Sequence, residues 1–145
     1  MFRRILVVCV GNVCRSPVAE ARLRRALPDR DISSAGLGAL VDRGVEPTAR
    51  EFAEADGLDV SEHQARQLTP DMLQEADLVL VMTEGQRRAV AELAPAALGK
   101  TMLLGRWLDD GQGREIPDPY RKSREAFVHV HHLLAEATSS WVGKL

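Results

Sequence analysis

Apolar and polar positions along the chain alternate between two patterns. Arg4 to Cys9 carries the unbroken run Ile5-Leu6-Val7-Val8 and reads as a short buried strand. Ala76-Asp77-Leu78-Val79-Leu80-Val81-Met82 repeats that pattern and predicts a second strong strand. Asp31 to Ala35 and Lys100 to Leu104 are weaker strands of the same kind. Helical patterns lie between them. Ser16 is placed as the cap of a helix with Pro17 at its first position, running to about Leu27 before Pro28. Pro47 opens a helix that ends near Gly57, and Thr69-Pro70 a short helical turn. Thr83 with Gln86 predicts a capping box for a helix to about Leu93. A loop rich in Asp, Gly and Pro fills Asp109 to Pro119, and a last helix spans about Ser123 to Val142. Strands separated by helices imply an α/β fold with parallel pairing through right-handed crossovers. Ligands in such sheets bind beyond the carboxyl ends of the strands.

Length changes this picture little: 145 residues suit one domain, spanning 1–145. A 45% hydrophobic content supports a core, and 28% charged residues are ordinary for a water-facing surface. The net charge of −2 offers no general attraction to nucleic acid, and two Trp with one Tyr leave little for base stacking. No segment approaches the length of a membrane span, and the basic start is followed by too short an apolar run for a secretory leader. Two cysteines do not make a disulfide scaffold. These features predict a cytoplasmic protein with reduced thiols, no nucleic-acid partner and no membrane insertion.

The candidate chemistry sits directly after the first strand, in Cys9-Val10-Gly11-Asn12-Val13-Cys14-Arg15-Ser16-Pro17. A short loop entering a helix offers backbone N–H groups and the positive end of the helix dipole, a ready anion site. Gly11 allows a tight turn. Arg15, six positions after Cys9, adds a planar fork for two phosphate oxygens. Thiols in such surroundings ionise more readily than free ones, so Cys9 is expected as a thiolate at neutral pH. A thiolate beside a bound phosphoryl group can attack phosphorus and form a phosphocysteine. Neither Gly-x-x-x-x-Gly-Lys-Ser/Thr nor Gly-x-Gly-x-x-Gly is present, so this is no nucleotide loop. A phenolate leaving group gains from a proton, and Asp118 in Ile116-Pro117-Asp118-Pro119-Tyr120 is the candidate acid, with Asp109 and Asp110 in the same loop as alternatives. His129 and His132 share a helix face without a carboxylate or thiol partner, which predicts no metal site.

These residues resemble the low-molecular-weight protein tyrosine phosphatases over nearly the whole chain. The resemblance rests on Val8 to Pro17, Ser34-Ala35-Gly36, His63-Gln64-Ala65-Arg66-Gln67 and Asp118-Pro119-Tyr120. It implies a three-layer fold, a four-stranded parallel sheet of order 2-1-3-4 with helices on both faces, and cofactor-free hydrolysis of phosphotyrosine. By motif position it implies Cys9 as nucleophile, Arg15 with Val10, Gly11, Asn12, Val13, Cys14 and Ser16 as the phosphate cradle, and Asp118 as acid then base. Ser16 would donate to the thiolate. Asn12, supported by Ser34 and His63, would hold the loop, and Cys14 would trap oxidised Cys9 as a disulfide. Leu40 would form a pocket wall beside Tyr120. Leu40 in place of an aromatic residue, and Arg121-Lys122-Ser123-Arg124 after Tyr120, resemble the bacterial branch that works beside membrane tyrosine autokinases of capsule or exopolysaccharide export. The partner would then be a phosphotyrosine protein, the tyrosine-rich kinase tail. Two other functions compete. A thiol-dependent arsenate reductase needs a further cysteine or an external thiol, and none follows Cys14. A non-catalytic phosphate-binding module needs neither Cys9 nor Asp118.

Overall fold

The computed structural model describes residues 2–145. Four strands form one parallel sheet, β1 (Arg4–Cys9), β2 (Asp31–Gly36), β3 (Leu78–Val81) and β4 (Thr101–Leu103), in the order β2-β1-β3-β4. The central pair, β1 and β3, is buried on both faces apart from Arg4, as continuous apolar runs require. Alternation along β1 divides the core. Ile5, Val7 and Cys9 face one layer with α1 (Arg15–Ala26), α2 (Pro47–Ala55) and α5 (Arg124–Val142). Leu6 and Val8 face the other, with Leu73 of α3 (Pro70–Glu75) and Val90 of α4 (Glu84–Leu93). The expected three-layer α/β sandwich is therefore the fold.

Three local expectations are corrected. Ser16 does not cap α1: Cys14 is the N-cap residue, with no side-chain cap bond, and Ser16 lies inside the helix with its hydroxyl turned inward. The capping box at Thr83 is half formed. Thr83 Oγ1 accepts from Gln86 N at 3.1 Å, but the Gln86 side chain accepts from Met82 N at 2.8 Å instead of from Thr83. The strand expected over Ala76 to Met82 is shorter, because Ala76 terminates α3 and Met82 turns toward the 114–118 segment. A 3₁₀ turn over Pro95–Lys100, opened by proline, leads into β4.

Both strand ends that matter converge at one edge of the sheet. Gly36 pairs with Cys9, the last residues of β2 and β1. The chain from β2 folds over the loop after β1, and the segment after β4 returns beside Met82, where Ile116 N donates to Met82 O at 2.9 Å.

Candidate active site

The loop from Cys9 to Ser16 is built by where its carbonyls go. Cys9 O accepts from Leu37 N, Val10 O from Gly38 N, Gly11 O from Leu40 N and Val13 O from Glu46 N, all at 2.8–3.0 Å. Asn12 O accepts from His63 Nε2 at 2.6 Å. Every peptide here is trans, so drawing the carbonyls outward turns the N–H groups of the loop toward its interior. Among the described residues, none of the N–H groups from Val10 to Ser16 donates to a protein acceptor.

Asn12 is the brace of this loop. It is fully buried and sits at φ 59°, a left-handed conformation that asparagine tolerates better than most side chains. Its Nδ2 donates to Ser16 Oγ at 2.7 Å and to Ser34 Oγ at 3.0 Å, and its Oδ1 accepts from Arg66 N at 3.0 Å. All polar atoms of the side chain are thus used, and the backbone donor facing Oδ1 fixes the amide orientation. The Ser16 hydroxyl, already accepting from Asn12, has its proton left for Cys9 Sγ, 2.8 Å away. Ser34, His63 and Asn12 thus meet around the loop.

Arg15 is buried, yet its guanidinium is only partly satisfied within the protein. Nη1 donates to Ile116 O at 2.8 Å, Nη2 lies 3.7 Å from Asp118 Oδ2, and Nε has no acceptor. A buried cation with a spare N–H is costly unless an anion completes it. Asp118 lies at the rim, its side chain 45% exposed, and its Oδ1 accepts from Tyr120 N at 3.0 Å in an Asx turn. Asp109 and Asp110 are not among the pocket-lining residues and adopt left-handed conformations farther along the loop. Cys9, Cys14, Arg15, Asp118, Leu40 and Tyr120 enclose a pocket of about 120 Å³ together with Val10, Gly11, Val13 and Gly38. Burial, then the neighbouring Cys9 thiol, push the Cys14 thiol well above its ordinary ionisation range, so Cys14 stays protonated at neutral pH. Both cysteines are free thiols. A larger groove of about 520 Å³ lies behind the loop, bounded by Glu20, Arg24, Glu62 and Arg66, and contains no thiol. His131 lies elsewhere, bonded to Asp56 at 2.7 Å.

Sequence reasoning passed over several contributors. The carbonyl of Ile116 and the backbone of Arg66 act through main-chain atoms, which carry no residue-type signal. Gly36 is different: a Cβ there would stand 2.4 Å from Val10 O and 3.1 Å from Asn12 N. Only glycine lets β2 approach so closely, and its place at a strand end is the visible clue. Gly36→Ala is expected to lose about 1–3 kcal/mol of stability and to weaken phosphate binding, measured by denaturant unfolding and calorimetry. An unchanged alanine variant would mean that the loop shifts freely.

A closed ring of inward amides, a thiol and a guanidinium is a site for a tetrahedral oxyanion, and proteins of similar sequence are phosphatases. Residues 4–145 match the family model described as low molecular weight phosphotyrosine protein phosphatase. The chain is 48% identical over 145 residues to the low molecular weight protein-tyrosine-phosphatase Wzb of Salmonella typhimurium, covering all of this chain and 95% of that one. It superposes on the crystal structure of the tyrosine phosphatase Wzb from Escherichia coli K30 in complex with sulphate with a TM-score of 0.95, at 47% identity and 99% coverage of both chains. Vibrio vulnificus Wzb in complex with benzylphosphonate is similar over the whole of both chains, with a TM-score of 0.94 and 46% identity. With the sheet order, the phosphate loop and its companion segments all matched over its length, this chain belongs to the low molecular weight protein-tyrosine phosphatases, cysteine-based enzymes that need no metal.

Proposed function

We propose that residues 1–145 act as one catalytic domain in which Cys9 is the nucleophile, Arg15 and the amides of Val10 to Ser16 hold the phosphoryl oxygens, and Asp118 is the general acid. The observation that carries this is the shared pocket: the Cys9 thiol and the unsatisfied Arg15 Nε lie on one loop whose amides have no protein acceptor. Cys9 Sγ attacks phosphorus as the bond from phosphorus to the tyrosyl oxygen breaks, and Asp118 passes its proton to that oxygen. Water then attacks phosphorus and gives a proton to the Asp118 carboxylate, the S–P bond breaks as the new O–P bond forms, and phosphate leaves with the thiolate restored. The fixed amides and Arg15 hold the equatorial oxygens through both steps without reorganising. Ser16 steadies the departing and returning sulfur charge through its 2.8 Å contact.

Leu40 and Tyr120 flank the cradle and suit a flat aryl group. The benzylphosphonate bound by the Vibrio vulnificus relative has the same combination of ring and tetrahedral head. The partner is a phosphotyrosine protein. Its finer identity follows from the basic stretch after Tyr120 and from Leu40: the tyrosine-rich tail of a membrane tyrosine autokinase in polysaccharide export, met in the cytoplasm, where both thiols stay reduced. Cys14, buried in the same pocket as Cys9, serves as the redox partner. Among the described residues no helix is long and apolar enough to cross a membrane. Arsenate reduction is not favoured: no cysteine follows Cys14 to relay a disulfide.

The test is turnover of p-nitrophenyl phosphate and of a phosphotyrosine peptide in chelator at mildly acidic pH. Hydrolysis of both is expected. Arsenate-dependent thiol consumption without hydrolysis, or phosphopeptide binding without turnover, would overturn the assignment.

A further inference from the structure

Gln86 is a buried polar side chain far along the chain from the phosphate loop, and the reaction as described makes no use of it. Its position in the bonding network is specific. Gln86 Oε1 accepts from Met82 N at 2.8 Å, Met82 O accepts from Ile116 N at 2.9 Å, and Ile116 O accepts from Arg15 Nη1 at 2.8 Å. Met82 and Ile116 are fully buried, so each link is shielded from water. Gln86 is itself anchored, since its N donates to Thr83 Oγ1 in the first turn of α4.

The same turn grips the Asp118 segment a second time. Glu84 N donates to Glu115 Oε2 at 2.8 Å, and Glu115 adjoins Ile116. On the other side Arg114 packs against Gly105 so closely that a Cβ there would meet Arg114 O at 2.0 Å. Residues 114–116 are thus wedged between Gly105 and the first turn of α4, with Asp118 two residues beyond Ile116.

We propose that Gln86 is a positioning residue for this phosphatase, setting Arg15 and Asp118 through the Met82–Ile116 backbone relay. The inference rests on the catalytic roles given above to Arg15 and Asp118. A capping residue would ordinarily return its side chain to the cap's own N–H. Here it bonds the N–H of Met82, the residue before the cap, whose carbonyl in the next peptide accepts from Ile116 N of the Asp118 segment. Nη1 of Arg15 is thereby held away from the pocket, leaving Nε and Nη2 for the phosphoryl oxygens. A guanidinium displaced by an ångström would lose both the fork geometry and the spacing to Asp118.

The experiment compares wild type, Gln86→Met and Gln86→Glu. Methionine keeps the length and removes the acceptor, and glutamate restores an oxygen acceptor. Inorganic phosphate binding is measured by calorimetry, and kcat and KM on phenyl phosphate and p-nitrophenyl phosphate. Gln86→Met is expected to weaken phosphate binding about tenfold and to lower kcat on phenyl phosphate by about tenfold or more, with a smaller loss on p-nitrophenyl phosphate. Gln86→Glu should lie within about threefold of wild type on all three measures, because its acceptor survives. A folded Gln86→Met with unchanged phosphate affinity and an unchanged ratio between the two esters overturns the inference. So does a Gln86→Glu variant as impaired as methionine. Should Gln86→Met fail to fold, hydrogen exchange on wild type decides: phosphate should slow exchange at the Met82 and Ile116 amides, and no change there overturns the relay. A wild type without turnover would instead defeat the catalytic reading, while calorimetry would still test the relay.

Discussion

Replacing Cys9 with serine should abolish turnover while leaving phosphate binding almost intact. Loss of a covalent nucleophile costs at least about 10⁴-fold in kcat, because no other group in the pocket can form the intermediate. Cys14, the other thiol there, is kept protonated chiefly by burial, which the substitution leaves unchanged. Ser16 already donates toward position 9, so the new hydroxyl would have no base within the loop. The cradle is independent of sulfur: five carbonyls, from Cys9 to Val13, are tied outward by Leu37, Gly38, Leu40, His63 and Glu46. Phosphate affinity by calorimetry should therefore stay within a few-fold of wild type. Residual hydrolysis above about 1% would move the nucleophile elsewhere.

Asp118→Asn should separate substrates by their leaving groups. Phenyl phosphate needs a proton on the departing oxygen, and general acid catalysis contributes about 10²- to 10⁴-fold. Hydrolysis of p-nitrophenyl phosphate should fall much less, since its phenolate leaves readily. The substitution is nearly isosteric, and the asparagine oxygen can keep the bond from Tyr120 N, so the loop should hold its shape. It also removes a negative charge 3.7 Å from Arg15 Nη2, and inorganic phosphate should bind at least as tightly as before. Asp118, at the rim, is exposed enough for that gain to be small. Equal losses on the two esters would take Asp118 out of the acid role.

How much of this was legible in the sequence varies with the kind of atom involved. The Cys9 to Pro17 motif, the two strong strands and the Asp118-Pro119-Tyr120 triplet stand out because they use special residue types in short order. The helix start after the loop was legible, but the task of Ser16 was not. A serine before a proline reads as a cap, whereas here the amides at that helix end belong to the anion site and the hydroxyl turns to sulfur. The half-formed capping box at Thr83 misled for a related reason: the competing donor, Met82 N, is exposed to Gln86 only once β3 has ended.

By itself the sequence determined the alternation of strands and helices, the placing of a thiol and a guanidinium on one loop, and the family. Local patterns and spacing are enough for these, since each depends on residues within a few positions. Tertiary structure alone decided that the loop's carbonyls face outward, that Arg66 braces Asn12 while Gly36 leaves room for it, that Ile116 holds the far side of Arg15, and that Gln86 bonds Met82 behind Ile116. Those partners come from β2 and from the segments that follow β2, β3 and β4, and act mostly through main-chain atoms, which every residue possesses. Only the packing of the sheet brings such atoms within hydrogen-bond distance.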